Sequence, residues 1–137
     1  MRDIVYLAHI ILGALLVVLP ILTLFELKAK SSLLKIYSLA SAAVSWILLI
    51  PASILYVNFY PATKTLIQAG AWPWAHGIFM ETKEHWGLLL PIIATVAAGL
   101  VITNKEEESK KWWQLLIILA ALIGIFGRIV KMGAYAG

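Results

Sequence analysis

Three histidines and two cations stand out from an otherwise aliphatic chain: His9, His76, His85, Arg128 and Lys131. A neutral imidazole is a good iron ligand, and two imidazoles on different helices at one depth would hold a haem between them. His9 and His85 lie on different helices at similar depth and so invite a haem between them, with His76 as a further candidate ligand. Gly13 lies one turn from His9 on the same helical face. On a later helix Ala120, Gly124, Gly127, Arg128 and Lys131 recur at i, i+4, i+7, i+8 and i+11. That is one face, small in the middle and cationic at its end. The small residues would admit a macrocycle, and Arg128 and Lys131 would pair with its propionates. Tyr6 and Tyr135 would be hydrogen-bond donors nearby.

Each feature also has a plainer reading. Glycine and alanine on one face are the usual means of close helix packing in lipid. A histidine near a helix end often serves as a cap or an interfacial residue. Arg128 would pair with Glu84 or Glu81, or reach out to the headgroups. Ser38, Ser41 and Ser45 share one face and are expected only to pack. Pro20, Pro51 and Pro91 are expected to kink their helices.

The elements that must position these residues are read from hydropathy. The chain has 137 residues, of which 62% are hydrophobic and 13% charged, and its mean hydropathy is +0.92. A soluble domain is about 45–50% apolar and about 25% charged, so a water-soluble core would not hide this much apolar surface. Four apolar stretches, near 4–25, 33–57, 86–103 and 112–130, organise it. Each is close to the ~20 residues that cross ~30 Å of hydrocarbon as a helix, and unpaired backbone is not tolerated in lipid. The first stretch ends in Glu26-Leu27-Lys28 without a small-residue cleavage site, so it is read as a retained helix. The fold class is therefore all-α: one integral membrane four-helix bundle over residues 1–137. Short polar connections after the first and third stretches make two antiparallel hairpins. The segment 58–84, with Pro61, Gly70, Trp72, Pro73, Trp74 and Gly77, is expected to be a longer loop at the membrane interface, where tryptophan is favoured. A short surface helix from Thr63 to Ala69 would fit within it.

This threading brings all three histidines, Arg128 and Lys131 to one membrane face. The short-loop face carries Lys28, Lys30, Lys35, Lys105, Lys110 and Lys111, against Arg2, Lys64, Lys83, Arg128 and Lys131 opposite. If Arg128 and Lys131 serve another purpose, the balance is six against three, which puts the short loops in the cytoplasm and both termini outside.

At the residue level, Glu84-His85-Trp86-Gly87-Leu88 and the glycine-rich basic run Gly124 to Gly133 resemble small four-helix membrane proteins related to b-type cytochromes. The resemblance covers the chain in topology and about twenty residues in motif. It implies haem ligands early in the first helix and at the start of the third, here His9 and His85. The absence of a second, deeper histidine pair departs from a two-haem transmembrane wire.

Other chemistry is excluded. There is no cysteine and only one aspartate, Asp3. No Walker loop, HExxH or Ser-His-Asp set occurs. The net charge of +4 is spread too thinly for nucleic acid and suits anionic lipid. The half of the bundle nearer the short loops is almost purely aliphatic, which disfavours an ion pathway. Two functions are expected in turn. One is an electron-transfer subunit with a single bis-histidine haem b near the outer face, relaying electrons between quinol and a partner redox protein. The other is a cofactor-free accessory subunit of a larger membrane complex. The partners would be the lipid bilayer, other membrane or redox subunits and, for the first reading, a quinone.

Overall fold

Two residues with left-handed backbone angles mark the short connections. Lys30 (φ 52°) and Asn104 (φ 60°) are the only non-glycine residues with positive φ among those described. At the first, Ser31 N–H donates to the Glu26 carbonyl (3.1 Å); at the second, Lys105 N–H donates to that of Leu100 (2.8 Å). Both close the preceding helix with a left-handed cap. In the computed structural model, which describes residues 1–136, these turns separate long helices. We number them α1 (Arg2–Ala29), α2 (Leu34–Ala69), α3 (Ala75–Ile102) and α4 (Glu106–Tyr135). All four are long and apolar enough to cross a membrane, and no strand occurs among the described residues.

The helices run further than hydropathy suggested, and the segment 58–84 is not a loop. α2 continues through it to Ala69, and α3 begins at Ala75. The 60–69 helix is an extension of α2 rather than a separate surface helix. The interruption is confined to residues 70–74. Two wide π-helical turns, Leu55–Phe59 and Ala75–Met80, make this continuity possible. Pro61 lacks an N–H for the ordinary ladder. The register shifts before it, with Tyr60 N–H donating to the Leu55 carbonyl. Pro91 has the opposite outcome: α3 is broken at Leu88, three residues before it, because the proline removes one ladder bond and its ring crowds the preceding turn. Pro20 and Pro51 are buried within unbroken helix.

The packing forms a ring: α1 on α2, α2 on α3, α3 on α4 and α4 back on α1. The main core contains Leu16 and Leu27 of α1, Leu48 of α2, Ala94, Ala97 and Val101 of α3, and Trp113 and Leu116 of α4. The α3 alanines and the large, fully buried Trp113 belong to the same core. The serines pack as expected: Ser38 and Ser41 donate to carbonyls one turn back, at 2.7 and 2.8 Å. Thr23 meets Ser41 across α1 and α2 at 3.5 Å.

A second, smaller core closes the other end. Tyr60, Ile67, Ala75, Met80 and Val130 form it, with Trp72, Phe79 and Ala134 against them. Beyond its wide turn the end of α2 (Tyr60–Ala69) packs on α4 rather than on α1, so it crosses over the end of the ring. The turn that follows is tied to the C-terminus, where Ala71 N–H donates to the Ala136 carbonyl at 2.8 Å. At Gly133 a Cβ would stand 2.8 Å from the Ala75 Cβ, so only glycine permits this approach of α4 to α3.

Candidate functional site

The chemistry-bearing side chains gather between these two cores. His76, only 7% exposed, begins α3. Its Nδ1 meets the Tyr60 hydroxyl of α2 at 2.8 Å, and its Nε2 meets a Glu81 carboxylate oxygen at 3.4 Å. In the neutral imidazole a proton on Nε2 suits both contacts: Nε2–H donates to the Glu81 carboxylate, and the Tyr60 O–H donates to Nδ1. Tyr56 stacks on Tyr60 with ring centroids 5.6 Å apart. The wide turn at Ala75–Met80 rotates His76 into this position, one helical turn before Glu81.

One turn further along α3, Lys83 and Glu84 point inward. The Lys83 stem lies against the backbone of Gly127 on α4, its Cε 3.2 Å from where a Cβ would stand. Gly127 is thus a notch that admits a lysine between α3 and α4. Lys83 makes no hydrogen bond or ion pair among the described residues, and Oε1 of Glu84 is buried without a hydrogen-bond partner. From α1, His9 continues the inward row of Leu16, Pro20, Thr23 and Leu27. Its Nδ1 is also buried and unpartnered.

The expected haem pair is not presented to a common space. His85 is exposed, in the same outward row as Leu88, Leu89 and Ile92, and its Nδ1–H donates to the Glu81 carbonyl of its own helix at 2.7 Å. His9 faces inward on the other side of the ring. Arg128 is exposed and pairs with neither Glu81 nor Glu84 among the described residues. Lys131 sits over the Tyr6 ring, 5.0 Å from its centroid. Gly124 is exposed on the outer surface. Gly127 faces inward, but the Lys83 stem fills its notch. Gly13 does border open space beside His9, with no atom within 4 Å of its would-be Cβ. These residues do not fit a haem held between His9 and His85.

Comparison with protein families, curated proteins and solved structures gives no match.

Taking 58–84 as loop, the sequence reading misses Tyr60, offers Glu81 and Glu84 only as partners for Arg128, and counts Lys83 only as a surface cation. A signal was present: His76, Met80, Lys83 and Gly87 recur at i, i+4, i+7 and i+11, one helical face running straight into the apolar stretch. Around the site, Trp72, Trp74, Phe79, Phe126 and Trp86 form an unbroken aromatic chain, each ring 5.1–6.2 Å from the next. It runs from the 70–74 turn across α3 and α4.

Proposed function

We propose that this protein is a multi-pass integral membrane subunit that works within a larger membrane assembly. The observation that carries the reading is the unpartnered apolar surface. Only 22–39% of the most apolar stretch of each helix is buried against the rest of the protein. Ile10, Leu15, Val18, Ile36, Ile47, Ile92 and Ile118 are among the large side chains left exposed. Lipid tails and neighbouring subunits are the surroundings that accept so continuous a surface. Almost no mass lies outside the spans to act on a soluble substrate.

In this reading the helices form two antiparallel hairpins. Both termini and the 70–74 turn lie on one face. Lys83 is inside the bundle and does not count towards orientation, and Lys131 is engaged by Tyr6. The lysines at the short-loop end then dominate and put that end in the cytoplasm. The Trp72–Trp86 aromatic chain sits at the opposite interface, where amphipathic rings are favoured.

Extraction in mild detergent, followed by cross-linking and sizing, tests the assembly. Co-migration with other membrane subunits or as an oligomer is expected. A stable, active monomer would refute it. An absorption spectrum of the same preparation decides between the accessory role and electron transfer. A Soret band lost on His9→Ala would restore the haem reading.

A further inference from the structure

At the short-loop end, α1 and α4 outrun the apolar stretches. α1 continues past Phe25 to Ala29, and α4 begins at Glu106, six residues before Trp112. The two helices pack on each other, and between these ends lies an open groove of about 440 Å³. α1 and its turn line it with Leu24, Leu27, Lys28 and Lys30, and α4 lines it with Glu107, Lys110 and Gln114. Helical spacing explains both walls: positions 24, 27 and 28 share one face of α1, and positions 107, 110 and 114 share one face of α4. The groove is graded along its depth. Its outer part is cationic. Leu24 lies four residues inward of Lys28, and Gln114 four inward of Lys110, ~6 Å in each case at 1.5 Å per residue.

The ammonium groups of Lys28, Lys30 and Lys110 border the outer part, against the single carboxylate of Glu107. None of the four makes an ion pair: those among the described residues are Arg2–Asp3 and His76–Glu81. The groove is therefore positive, with no counter-charge in the protein. Lys30 adds an independent observation. Its backbone is left-handed, with φ 52°, where glycine is the cheaper residue. The chain carries a cation at that position, and it lines the groove. The hollow on the other side of Lys30 has the opposite character, because Lys30 and Lys105 share it with Glu106, Glu107 and Glu108. An anion is drawn to the α1–α4 side.

Resting on the reading of the chain as a membrane-spanning bundle, we propose that this groove binds the head of an anionic phospholipid. The phosphodiester lies among Lys28, Lys30 and Lys110, whose ammonium groups donate to its oxygens. The Gln114 amide, one turn deeper, donates to a glycerol ester carbonyl. The first methylenes of an acyl chain lie on Leu24. From there the chain follows the exposed Ile21 of α1 and Ile118 of α4 into the hydrocarbon. A free phosphate would leave the apolar inner part of the groove bare, so the occupant is a lipid. A phosphatidylcholine head brings its own cation to a groove that already has an excess, so the head is anionic.

Thermal unfolding of the full-length protein in a nonionic detergent, with added phosphatidylglycerol, phosphatidylcholine or glycerol phosphate, tests this. Phosphatidylglycerol should raise the unfolding temperature saturably, at about tenfold lower concentration than phosphatidylcholine. Lys28→Gln and Lys110→Gln should each weaken that affinity about fivefold, the worth of one lysine at a headgroup layer. Glu107→Gln should strengthen it. Lys30→Gly should separate two readouts, with a higher unfolding temperature in the absence of lipid and a weaker affinity for it. Lys35→Gln, at the same end but outside the groove, should leave the affinity unchanged. A loss with Lys35→Gln equal to that with Lys28→Gln would mean diffuse surface charge, and would overturn the site. So would stabilisation by glycerol phosphate as strong as that by the lipid, which would assign the groove to a free anion. Stable reconstitution into bilayers with no preference between the two lipids would overturn the site alone. Failure to enter micelles or vesicles would overturn the membrane reading with it.

Discussion

Placing an alanine at each of three glycines on α4 separates the close approaches in this fold from the merely permissive positions. At Gly133 the new Cβ would stand 2.8 Å from the Ala75 Cβ. That is about 0.7–1.2 Å inside the ~3.5–4.0 Å optimum for two carbons, and neither atom is the free end of a flexible side chain. The start of α3 and the end of α4 must move apart, at a cost of about 1–3 kcal/mol, the usual range for overpacking. The strain falls on the smaller core and on the bond from Ala71 to Ala136. At Gly127 the new Cβ would meet only the Lys83 stem, its Cε at 3.2 Å and its Cδ at 3.8 Å. A flexible stem gives way there, and the cost should stay below about 1 kcal/mol. At Gly124 nothing lies within 4 Å, so alanine should gain up to about 1 kcal/mol from helix propensity. Thermal unfolding in one detergent, followed by helical circular dichroism, ranks the three. The expected order of stability is Gly124→Ala above wild type, Gly127→Ala near it and Gly133→Ala below it. Equal stability of Gly133→Ala and Gly124→Ala would refute the approach of α4 to α3.

Other expectations follow from single contacts. Tyr60→Phe leaves the Nδ1 of His76 buried without its partner. It should cost about 1–3 kcal/mol, and a double-mutant cycle with His76→Leu should recover part of that loss. Lys30 holds a left-handed conformation that costs an L-residue about 1–2 kcal/mol. Lys30→Gly should therefore raise the unfolding temperature, and no change would show that the cap relaxes freely. Tags at the two ends should be labelled from the same side of sealed vesicles, whereas labelling of one end alone would remove a span.

Much of the helical content was legible before the fold was known. Apart from Leu33 and Thr103, the four apolar stretches lie within the four helices, because hydropathy reports a slab ~30 Å thick directly. It is silent on what the chain does outside the slab. α2 has 36 residues, about 54 Å at 1.5 Å per residue, and its end is too polar to register. Proline and aromatic residues in 58–84 suggested a loop, but a shift of one residue in the backbone ladder keeps that stretch helical on both sides of the 70–74 turn.

The sequence by itself determined which residues are apolar, how many helices they make, and that histidines and cations concentrate towards one end. These are one-dimensional properties, set by composition and period. The tertiary structure alone decided which way each side chain faces. His9 and His85 look equivalent along the chain, yet one turns inward and the other outward. That difference depends on the rotation of each helix about its axis, set by packing against two neighbours and, for α3, by a wide turn and a proline break. The same rotation brings Tyr60, His76 and Glu81 together, and sets the Lys83 stem against Gly127 of α4. A rotation of about 100° separates consecutive residues of a helix, so small changes of register reassign a site, and no local spacing rule fixes them.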